Sequence, residues 1–260
     1  MRLFETIRKG RYIMELNKIY NEDCLQGMKR IPDKTIDLIL TDLPFGVTEC
    51  KWDNVIPFDL LWEQYNRIIK DNGAVVLFAV QPFTTKLINS NLKHFRYCWY
   101  WKKNNVTGAP FAKVQPMRCI EDICVFYKHK PIYNPQGLKK LDKIKVRKKD
   151  KADKERIYRI RTTKKHIQKY TNYPVHLLQF NNEVASNKNR LHPTQKPLAL
   201  CEYLIKTYTN EGDTVLDSCT GSGTTLLAAK NTGRNYIGFE TDINYYNTAI
   251  NRIYCDVTQQ

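Results

Sequence analysis

The stretch TDLPFG, from Thr41 to Gly46, places groups that could do chemistry where a strand is expected to end. It follows the apolar run IDLILT and supplies the carboxylate of Asp42, the rigid ring of Pro44 and the aromatic ring of Phe45. A carboxylate can accept hydrogen bonds, and an aromatic face can stack against a planar group. The alternative interpretation is that the loop is only a turn.

A second candidate loop, VLDSCTGSGTT, includes Gly221 and Gly223 between a predicted strand and a predicted helix. Backbone N–H groups can approach a ligand closely there, at the positive end of the helix. A phosphate-binding loop would need Lys where the chain has Thr224, and the third glycine of a dinucleotide-binding pattern is missing. A ligand with a carboxylate fits better. Glu240 ends the next strand, where an acid commonly binds ribose hydroxyls, so the pair predicts an adenosine-containing cofactor. The alternative is a tight turn between strand and helix.

The elements that must position these loops are predicted by the apolar pattern. The expected strands are residues 36–41, 74–80, 95–101, 123–127, 213–218 and 235–240, and the expected helices are residues 58–70, 83–92, 197–209, 223–231 and 243–253. This alternation favours an α/β fold with a mostly parallel sheet and helices on both faces. Ligands bind such sheets at the carboxyl ends of the strands, which places TDLPFG, DSCTGSGTT and GFETD on one rim.

Composition limits the function classes. With 260 residues, 42% of them hydrophobic, the chain can bury a substantial core. No apolar stretch approaches the roughly 20 residues that span a bilayer, and residues 1–13 lack the apolar core of a secretory signal, so we expect an intracellular protein. The eight cysteines show no paired CxxC spacing, which argues against a zinc site or a disulfide framework. The formal charge of +16 suggests a polyanionic partner.

The excess positive charge is concentrated in residues 128–170, which carry 17 Lys or Arg against 4 Asp or Glu. The segment is interleaved with tyrosines, and its apolar spacing is too irregular to predict a buried helix. It lies between two regions with the pattern of folded structure, as an inserted nucleic-acid-binding element would. The alternative is a flexible basic insertion.

A further motif, HPTQKP at residues 192–197, completes a set of four with TDLPFG, DSCTGSGTT and GFE. Together they resemble the amino-group DNA methyltransferases that use S-adenosylmethionine, in the circularly permuted β group, and solitary enzymes of phages and prophages in particular. In that group the catalytic motif precedes the cofactor motif and the target-recognition region lies between them, which is the order seen from about Asn17 to Ile253.

The resemblance implies a Rossmann-like, doubly wound, mostly parallel sheet, the class I methyltransferase fold in permuted form. It also implies three regions: residues 14–127 form the catalytic half, 128–187 a basic target-recognition insert, and 188–260 the cofactor-binding half. Residues 1–13, which the resemblance does not cover, are expected to be a basic N-terminal extension.

In this family the loop acts on an exocyclic amine, whose lone pair is delocalised into the base. The resemblance therefore makes the Asp42 carboxylate and the Leu43 carbonyl the acceptors that localise that lone pair, Pro44 a geometric constraint, and Phe45 the ring that stacks on a flipped-out base. Trp101 is expected to form a second wall, although it could equally belong to the core. The family's usual loop has proline and tyrosine where this chain has Leu43 and Phe45.

The cofactor S-adenosylmethionine is expected to contact several groups by the same resemblance. Asp217, Gly221, Ser222, Gly223 and Thr224 form the methionine-side loop, Glu240 takes the ribose, Thr194 and Lys196 hold the methionine carboxylate, and Asp23 contacts the adenine ring. No metal is expected. The residues expected to contact DNA are Lys139, Lys140, Lys145, Arg147, Lys148, Lys149, Arg156, Arg159, Arg161, Lys164 and Lys165.

The expected function is N6 methylation of adenine in double-stranded DNA, because the loop begins with Asp, in the cytoplasm of a bacterial or phage-infected cell. Three alternatives stay open: an N4-cytosine DNA methyltransferase, an RNA methyltransferase, and a catalytically weak DNA-binding protein. A homodimer is common in the permuted group, and the residues do not decide it. The sequence specificity, strict or relaxed, and any cognate restriction enzyme are not visible in the sequence.

Overall fold

A computed structural model describes residues 14–46, 53–147, 166–181 and 195–254 of the chain. The elements in chain order are β1 (Lys18–Tyr20), α1 (Cys24–Met28), β2 (Ile36–Asp42), α2 (Phe58–Ile68), β3 (Ile69–Ala79), α3 (Phe83–Ser90), β4 (Phe95–Thr107), a 3₁₀ turn (Ala109–Phe111), β5 (Arg118–Phe126), β6 (Lys139–Arg147), β7 (His166–Thr171), β8 (Leu177–Gln179), α4 (Leu198–Tyr208), β9 (Thr214–Asp217), α5 (Thr224–Asn231), β10 (Asn235–Phe239) and α6 (Ile243–Tyr254).

Eight strands form one sheet in the order β1-β10-β9-β2-β3-β5-β4-β8. The first five run parallel, so their carboxyl ends share one edge. Strand β5 runs antiparallel to both β3 and β4, which brings its amino end to that same edge. Strand β2 is buried along almost its whole length, as expected for a parallel strand covered on both faces.

Helices cover both faces of this sheet and divide the core into two clusters. Helices α4, α5 and α6 pack on one face, where Leu204 and Ile205 meet Leu40 and Phe78 of the sheet. Helices α1, α2 and α3 pack on the other, where Tyr65 and Leu87 meet side chains such as Ile39. This doubly wound, mostly parallel arrangement confirms the fold class predicted from the sequence.

The chain divides into two compact units. The first consists of Met1–Asn134 with His176–Gln260 and contains the eight-stranded sheet. The second, Pro135–Val175, lies within the predicted 128–187 insert and contains the antiparallel pair of β6 and β7. The role and limits assigned to the insert stay predictions, as do those of the other three regions. The N-terminal extension, residues 1–13, lies outside the described residues.

Several elements differ from the expectation. Strands β1 and β8 and helix α1 are too short to show a period, and the hairpin of β6 and β7 carries too many lysines to read as apolar alternation. Strands β3 and β5 each begin five residues earlier than expected, since most of their first five residues are polar or exposed. Within the described part of the chain, no helix has the length and apolar character needed to cross a membrane.

Candidate active site

The three predicted loops lie together on the carboxyl edge of the parallel strands. At the end of β2, the hydroxyl of Thr41 accepts a hydrogen bond from the backbone N–H of Ser218, just after β9, at 3.1 Å. At the end of β10, Glu240 Oε2 accepts from the backbone N–H of Gly221 at 2.8 Å. The structure therefore brings TDLPFG, the glycine loop and GFETD to one rim, as the sequence predicts.

The TDLPFG loop begins with the last two residues of β2, Thr41 and Asp42, and turns at Gly46. Leu43 is buried, whereas Asp42, Pro44 and Phe45 are partly exposed. Gly46 has φ +66° and its N–H donates to Asp53 Oδ1 at 2.8 Å. A Cβ at this position would lie 2.8 Å from a Val55 methyl group, so both the backbone and the available space favour glycine here.

Four charged side chains lie close together at this rim, and we call them the charge cluster: Asp42, Lys196, Glu121 and Lys103. The Lys196 ammonium lies 2.7 Å from Asp42 Oδ2 and 2.8 Å from Glu121 Oε1. Lys103 Nζ lies 2.6 Å from Glu121 Oε2. The side chains of Lys196 and Glu121 are only 9% and 4% exposed, so these ion pairs are largely removed from water.

Burial and pairing set the protonation of the charge cluster. Burial raises the pKa of Asp42 to about 6, against the opposing effect of the Lys196 ammonium. Burial would also raise the pKa of Glu121, but Lys196 and Lys103 outweigh it and hold that pKa below its ordinary value. The pKa of Lys196 is raised because Asp42 and Glu121 outweigh the effect of its burial. Near pH 7, Asp42, Glu121 and Lys196 are therefore all mainly charged.

The glycine loop is shaped by two residues with positive φ. Gly221 has φ +53°, and Gly223 has φ +82° and caps helix α5. A Cβ on Gly223 would lie 3.1 Å from Ala249 Cβ on α6, so a side chain there would press on that helix. The close approach of this loop to α6 explains why residue 223 is a glycine.

Two acids of the predicted cofactor site are fixed by backbone N–H groups. Glu240 accepts from Gly221 through Oε2 and from Asp242 through Oε1, both at 2.8 Å. Burial raises its pKa, and these two N–H groups oppose the shift. Asp217 is buried and accepts from Cys219 N at 3.1 Å; burial raises its pKa to about 7. Both carboxylates retain lone pairs for further donors.

The remaining predicted cofactor residues are placed as follows. Ser222 and Thr224 are buried, and the Arg252 guanidinium of α6 donates to the Thr224 hydroxyl at 2.7 Å and to the Ser222 carbonyl at 3.2 Å. Asp23 is exposed at the start of α1 on the same rim, where it accepts from Gln26 N. Thr194 lies outside the described residues. Contact of these groups with a cofactor stays a prediction.

Trp101 requires a correction. It is 2% exposed within the core, its indole N–H donates to the Phe180 carbonyl at 2.9 Å, and Lys103 Nζ lies 5.3 Å from the centroid of its ring. Because a stacking wall needs an open ring face, Trp101 is a core residue in this structure. Phe45 is partly exposed and packs on Phe83 with ring centroids 5.1 Å apart, and its stacking on a base stays a prediction.

The predicted DNA-contacting residues are only partly described. Lys139, Lys140 and Lys145 lie on β6 in the second unit with exposed side chains, and Arg147 is the last residue of that strand. The others, Lys148, Lys149, Arg156, Arg159, Arg161, Lys164 and Lys165, lie outside the described residues. Their contact with DNA stays a prediction.

Sequence reasoning missed Glu121, Lys103 and Arg252. Glu121 stands in the segment RCIEDICVF, only two residues before the strand predicted to begin at Ile123. The signal that could have identified it is an acid entering an apolar strand, because a buried carboxylate needs a charged partner. Its partners are Lys103 on β4 and Lys196 in the segment before α4. Their separations from Glu121 along the chain do not indicate that these side chains meet.

Comparison with known proteins identifies the family of this chain. Residues 36–251 match the model of the DNA methylase family. Type II methyltransferase M.HpaI of Haemophilus parainfluenzae is 28% identical over 245 residues, which cover 89% of this chain and 72% of that protein. DNA adenine methyltransferase YhdJ of Escherichia coli is 28% identical over 261 residues, covering 94% and 84%.

The fold also matches a solved methyltransferase. The structure of M1.HpyAVI in complex with S-adenosylmethionine superimposes with a TM-score of 0.62 and 26% identity, covering 91% of this chain and 98% of that one. The family model matches well over half of the chain, on the segment that carries the rim described above. The chain therefore belongs to the DNA methylase family.

Proposed function

We propose that this protein transfers a methyl group from S-adenosylmethionine to the N6 amine of adenine in double-stranded DNA. The observation that carries the proposal is the rim itself. An acceptor carboxylate, Asp42, stands at the end of β2 beside the ring of Phe45, and a glycine loop with a fixed acid lies on the same edge. Acceptor, ring and cofactor loop are the parts that methylation of an amine requires.

The donor set fits the cofactor. Glu240 is held in place by two N–H groups and keeps lone pairs for the two ribose hydroxyls, while the glycine loop opens helix α5, whose amino end favours a carboxylate. When bound, S-adenosylmethionine supplies an electrophilic sulfonium methyl group. Asp42 accepts a hydrogen bond from the amine and, with the Leu43 carbonyl, concentrates its lone pair toward that methyl.

The acceptor base is adenine in this proposal because the loop begins with Asp42 and because YhdJ, a relative over most of the chain, is a DNA adenine methyltransferase. The family includes both N6 and N4 methyltransferases, so N4-cytosine is the competing outcome. The target base leaves the duplex and stacks on Phe45. The basic 128–187 insert binds duplex DNA, with strict or relaxed sequence specificity. The protein acts in the bacterial cytoplasm as a monomer or a homodimer.

The test is transfer of labelled methyl from S-adenosylmethionine to unmethylated duplex DNA, followed by nucleoside analysis. Asp42→Asn should lower the single-turnover rate by about 100- to 1,000-fold, the loss seen when a preorganised group at the reacting centre is removed. Asp59→Asn, an exposed aspartate on α2, is the matched control and should not change the rate.

Each other outcome would correct a named part of the proposal. N4-methylcytosine in the product would overturn the base assignment and leave the mechanism. Transfer to RNA but not to DNA would overturn the substrate. Equal rates for wild type and Asp42→Asn would remove Asp42 from the chemistry, and no transfer to either nucleic acid would favour a DNA-binding protein without activity.

A further inference from the structure

The charge cluster lies on one face of the sheet because of its register. Asp42 pairs with Phe78 on β3, and Phe78 pairs with Ile123 on β5, so the three side chains share a face. Glu121 stands two residues before Ile123 and therefore points to that same face. Lys196 reaches the face from the segment before α4, with its ammonium 5.1 Å from the centroid of the Phe78 ring. Asp42, Phe78 and Ile123 are thus in register across three neighbouring strands, and Glu121 lies two residues along β5 from that register, on the same face.

The ion pairs form a chain with a direction. Lys103 binds Glu121, Glu121 binds Lys196, and Lys196 binds Asp42, with separations of 2.6, 2.8 and 2.7 Å. The inner members are almost fully buried, whereas the side chain of Asp42 is 25% exposed at the rim. Buried ion pairs are weak contributors to folding free energy, since desolvation offsets most of their attraction. Stability alone therefore does not explain why two carboxylates and two ammonium groups converge at this edge.

The chain of ion pairs engages only part of Asp42. Lys196 takes one position on Oδ2, and Oδ1 is buried with no hydrogen-bond partner among the described residues. An ionised carboxylate can accept about four hydrogen bonds. Asp42 is thus held at one oxygen and retains acceptor capacity for a substrate amine.

We propose that Lys196 and Glu121 are positioning residues for methyl transfer: Lys196 orients the Asp42 carboxylate through Oδ2, and Glu121 holds the Lys196 ammonium in place from behind. This inference rests on the proposed function and extends it to two residues that do not touch the reacting amine. It also gives Lys196 a place in the site other than the predicted contact with the methionine carboxylate.

The two positioning residues act on Asp42 with opposite signs. The positive charge of Lys196 favours the ionised form of Asp42, while the negative charge of Glu121 disfavours it, and both effects contribute to the pKa of Asp42. Among the described residues, the other titratable groups that interact with Asp42 are Lys103 from β4, which favours ionisation, Asp217 from β9, and the buried Cys201 thiol of α4. Neutralising each positioning residue should therefore move the pKa of Asp42 in opposite directions.

The experiment measures the single-turnover rate of methyl transfer from pH 5 to 9 at saturating S-adenosylmethionine. Lys196→Gln should lower the plateau rate by about 10- to 100-fold, as a misplaced catalytic group does, and should move the acid limb to higher pH. Glu121→Gln should move that limb to lower pH, with a smaller loss at the plateau. Lys196→Arg, which retains the charge, should recover part of the rate and return the limb toward the wild-type pH.

A second readout needs neither DNA nor cofactor. The carboxyl ¹³C signal of Asp42, assigned by its disappearance in Asp42→Asn, reports the pKa of that group directly. It should rise in Lys196→Gln and fall in Glu121→Gln. If either variant folds poorly, the charge-balanced double variant Lys103→Gln with Glu121→Gln keeps the cluster neutral and tests the Glu121 role in a folded protein. In that variant Asp42 and Lys196 remain paired, so we expect a lower plateau rate with the limb near its wild-type position.

Glu202 and Lys206 provide the matched controls. They form an i,i+4 pair at 3.8 Å on α4, with side chains 25% and 46% exposed, so Glu202→Gln and Lys206→Gln should change neither rate nor limb. An acid limb and a ¹³C titration that stay at the wild-type pH in both Lys196→Gln and Glu121→Gln would overturn the inference. Absence of methyl transfer by the wild-type protein would instead overturn the proposed function, and the ¹³C titration would still decide whether Lys196 and Glu121 control Asp42.

Discussion

Asp42 accepts a hydrogen bond from an amine most strongly while its carboxyl group is ionised, because a charged acceptor makes the stronger hydrogen bond. Burial raises its pKa to about 6, from the ordinary 3.8, and the nearby Lys196 keeps the shift from being larger. A raised pKa means that the protonated form persists as far as pH 6, two units above an exposed aspartate. Asp42 is therefore increasingly protonated below pH 6 and mostly charged at neutral pH.

We expect the wild-type single-turnover rate to show an acid limb centred near pH 6, falling about tenfold per unit below it. Asp217, with a pKa of about 7, belongs to the predicted cofactor site, so its titration should affect the dissociation constant of S-adenosylmethionine instead of the saturated rate. Circular dichroism at each pH controls for unfolding. A limb near pH 4 would show that Asp42 is not buried in solution.

At this scale the sequence predicted the acids but not their pairings. Asp42 and Glu240 follow apolar strands and could be identified as rim residues from their positions alone. The contact of Glu121 with Lys196 depends on β5 lying antiparallel beside β3, which no local spacing reports. The role of Trp101 was ambiguous for a different reason: an aromatic residue in a strand is compatible both with the core and with a binding site.

Among the elements, helix α5 is placed by the turn that precedes it. Gly223 and Gly212 have almost the same left-handed backbone, with φ +82° and +83°, but different surroundings. A Cβ on Gly223 meets Ala249 and Ile253 of α6 at 3.1 to 3.3 Å, whereas a Cβ on Gly212 meets nothing within 4 Å. The two positions therefore separate backbone strain from packing.

We expect Gly212→Ala to lower the free energy of unfolding by about 1–2 kcal/mol, the cost of a left-handed alanine, and to leave cofactor binding unchanged. Gly223→Ala should lower it further and should weaken S-adenosylmethionine binding, since α5 or α6 must shift. Urea unfolding and calorimetric titration measure the two quantities. Equal effects of the two substitutions on binding would show that the contact with α6 does not shape the loop.

Elements with a clear period were predictable, and short or polar ones were not. Strand β2 and helix α4 have continuous or periodic apolar residues, so their existence and approximate ends follow from sequence. Strand β1 has three residues and helix α1 five, each only slightly more than one period of its pattern, which is too short to predict either element. The hairpin of β6 and β7 is held by cross-strand pairing between residues such as Val146 and Ile167, which are far apart in sequence.

At the scale of the whole molecule, the net charge of +16 predicts that DNA binding depends strongly on salt concentration. Log Kd for duplex DNA should depend on log salt concentration, with a slope that falls by about 0.9 for each lysine removed from a phosphate. The triple variant Lys139→Gln, Lys140→Gln, Lys145→Gln removes three exposed charges from β6 and should reduce the slope by about 2.7.

The control variant neutralises three exposed lysines of the first unit, Lys29, Lys86 and Lys93, and has the same net charge. If the basic insert binds DNA, the control should change the slope much less than the β6 variant. Equal slopes for the two triple variants would mean that only the overall charge matters and that β6 is not a specific contact surface.

The segment Pro135–Val175 is flanked by Asn134 and His176, two residues of the first unit that hydrogen-bond within that unit. Asn134 donates from its backbone to Thr207 at 2.8 Å and from its side chain to Thr209 at 3.1 Å, and His176 accepts from Tyr100 N at 2.8 Å before β8 joins the sheet. Both flanking residues are thus held by hydrogen bonds within the first unit. If this segment selects the target sequence, as proposed for the insert, such attachment suits exchange: recombination replaces the intervening segment, and the methylation pattern changes without rebuilding the chemistry.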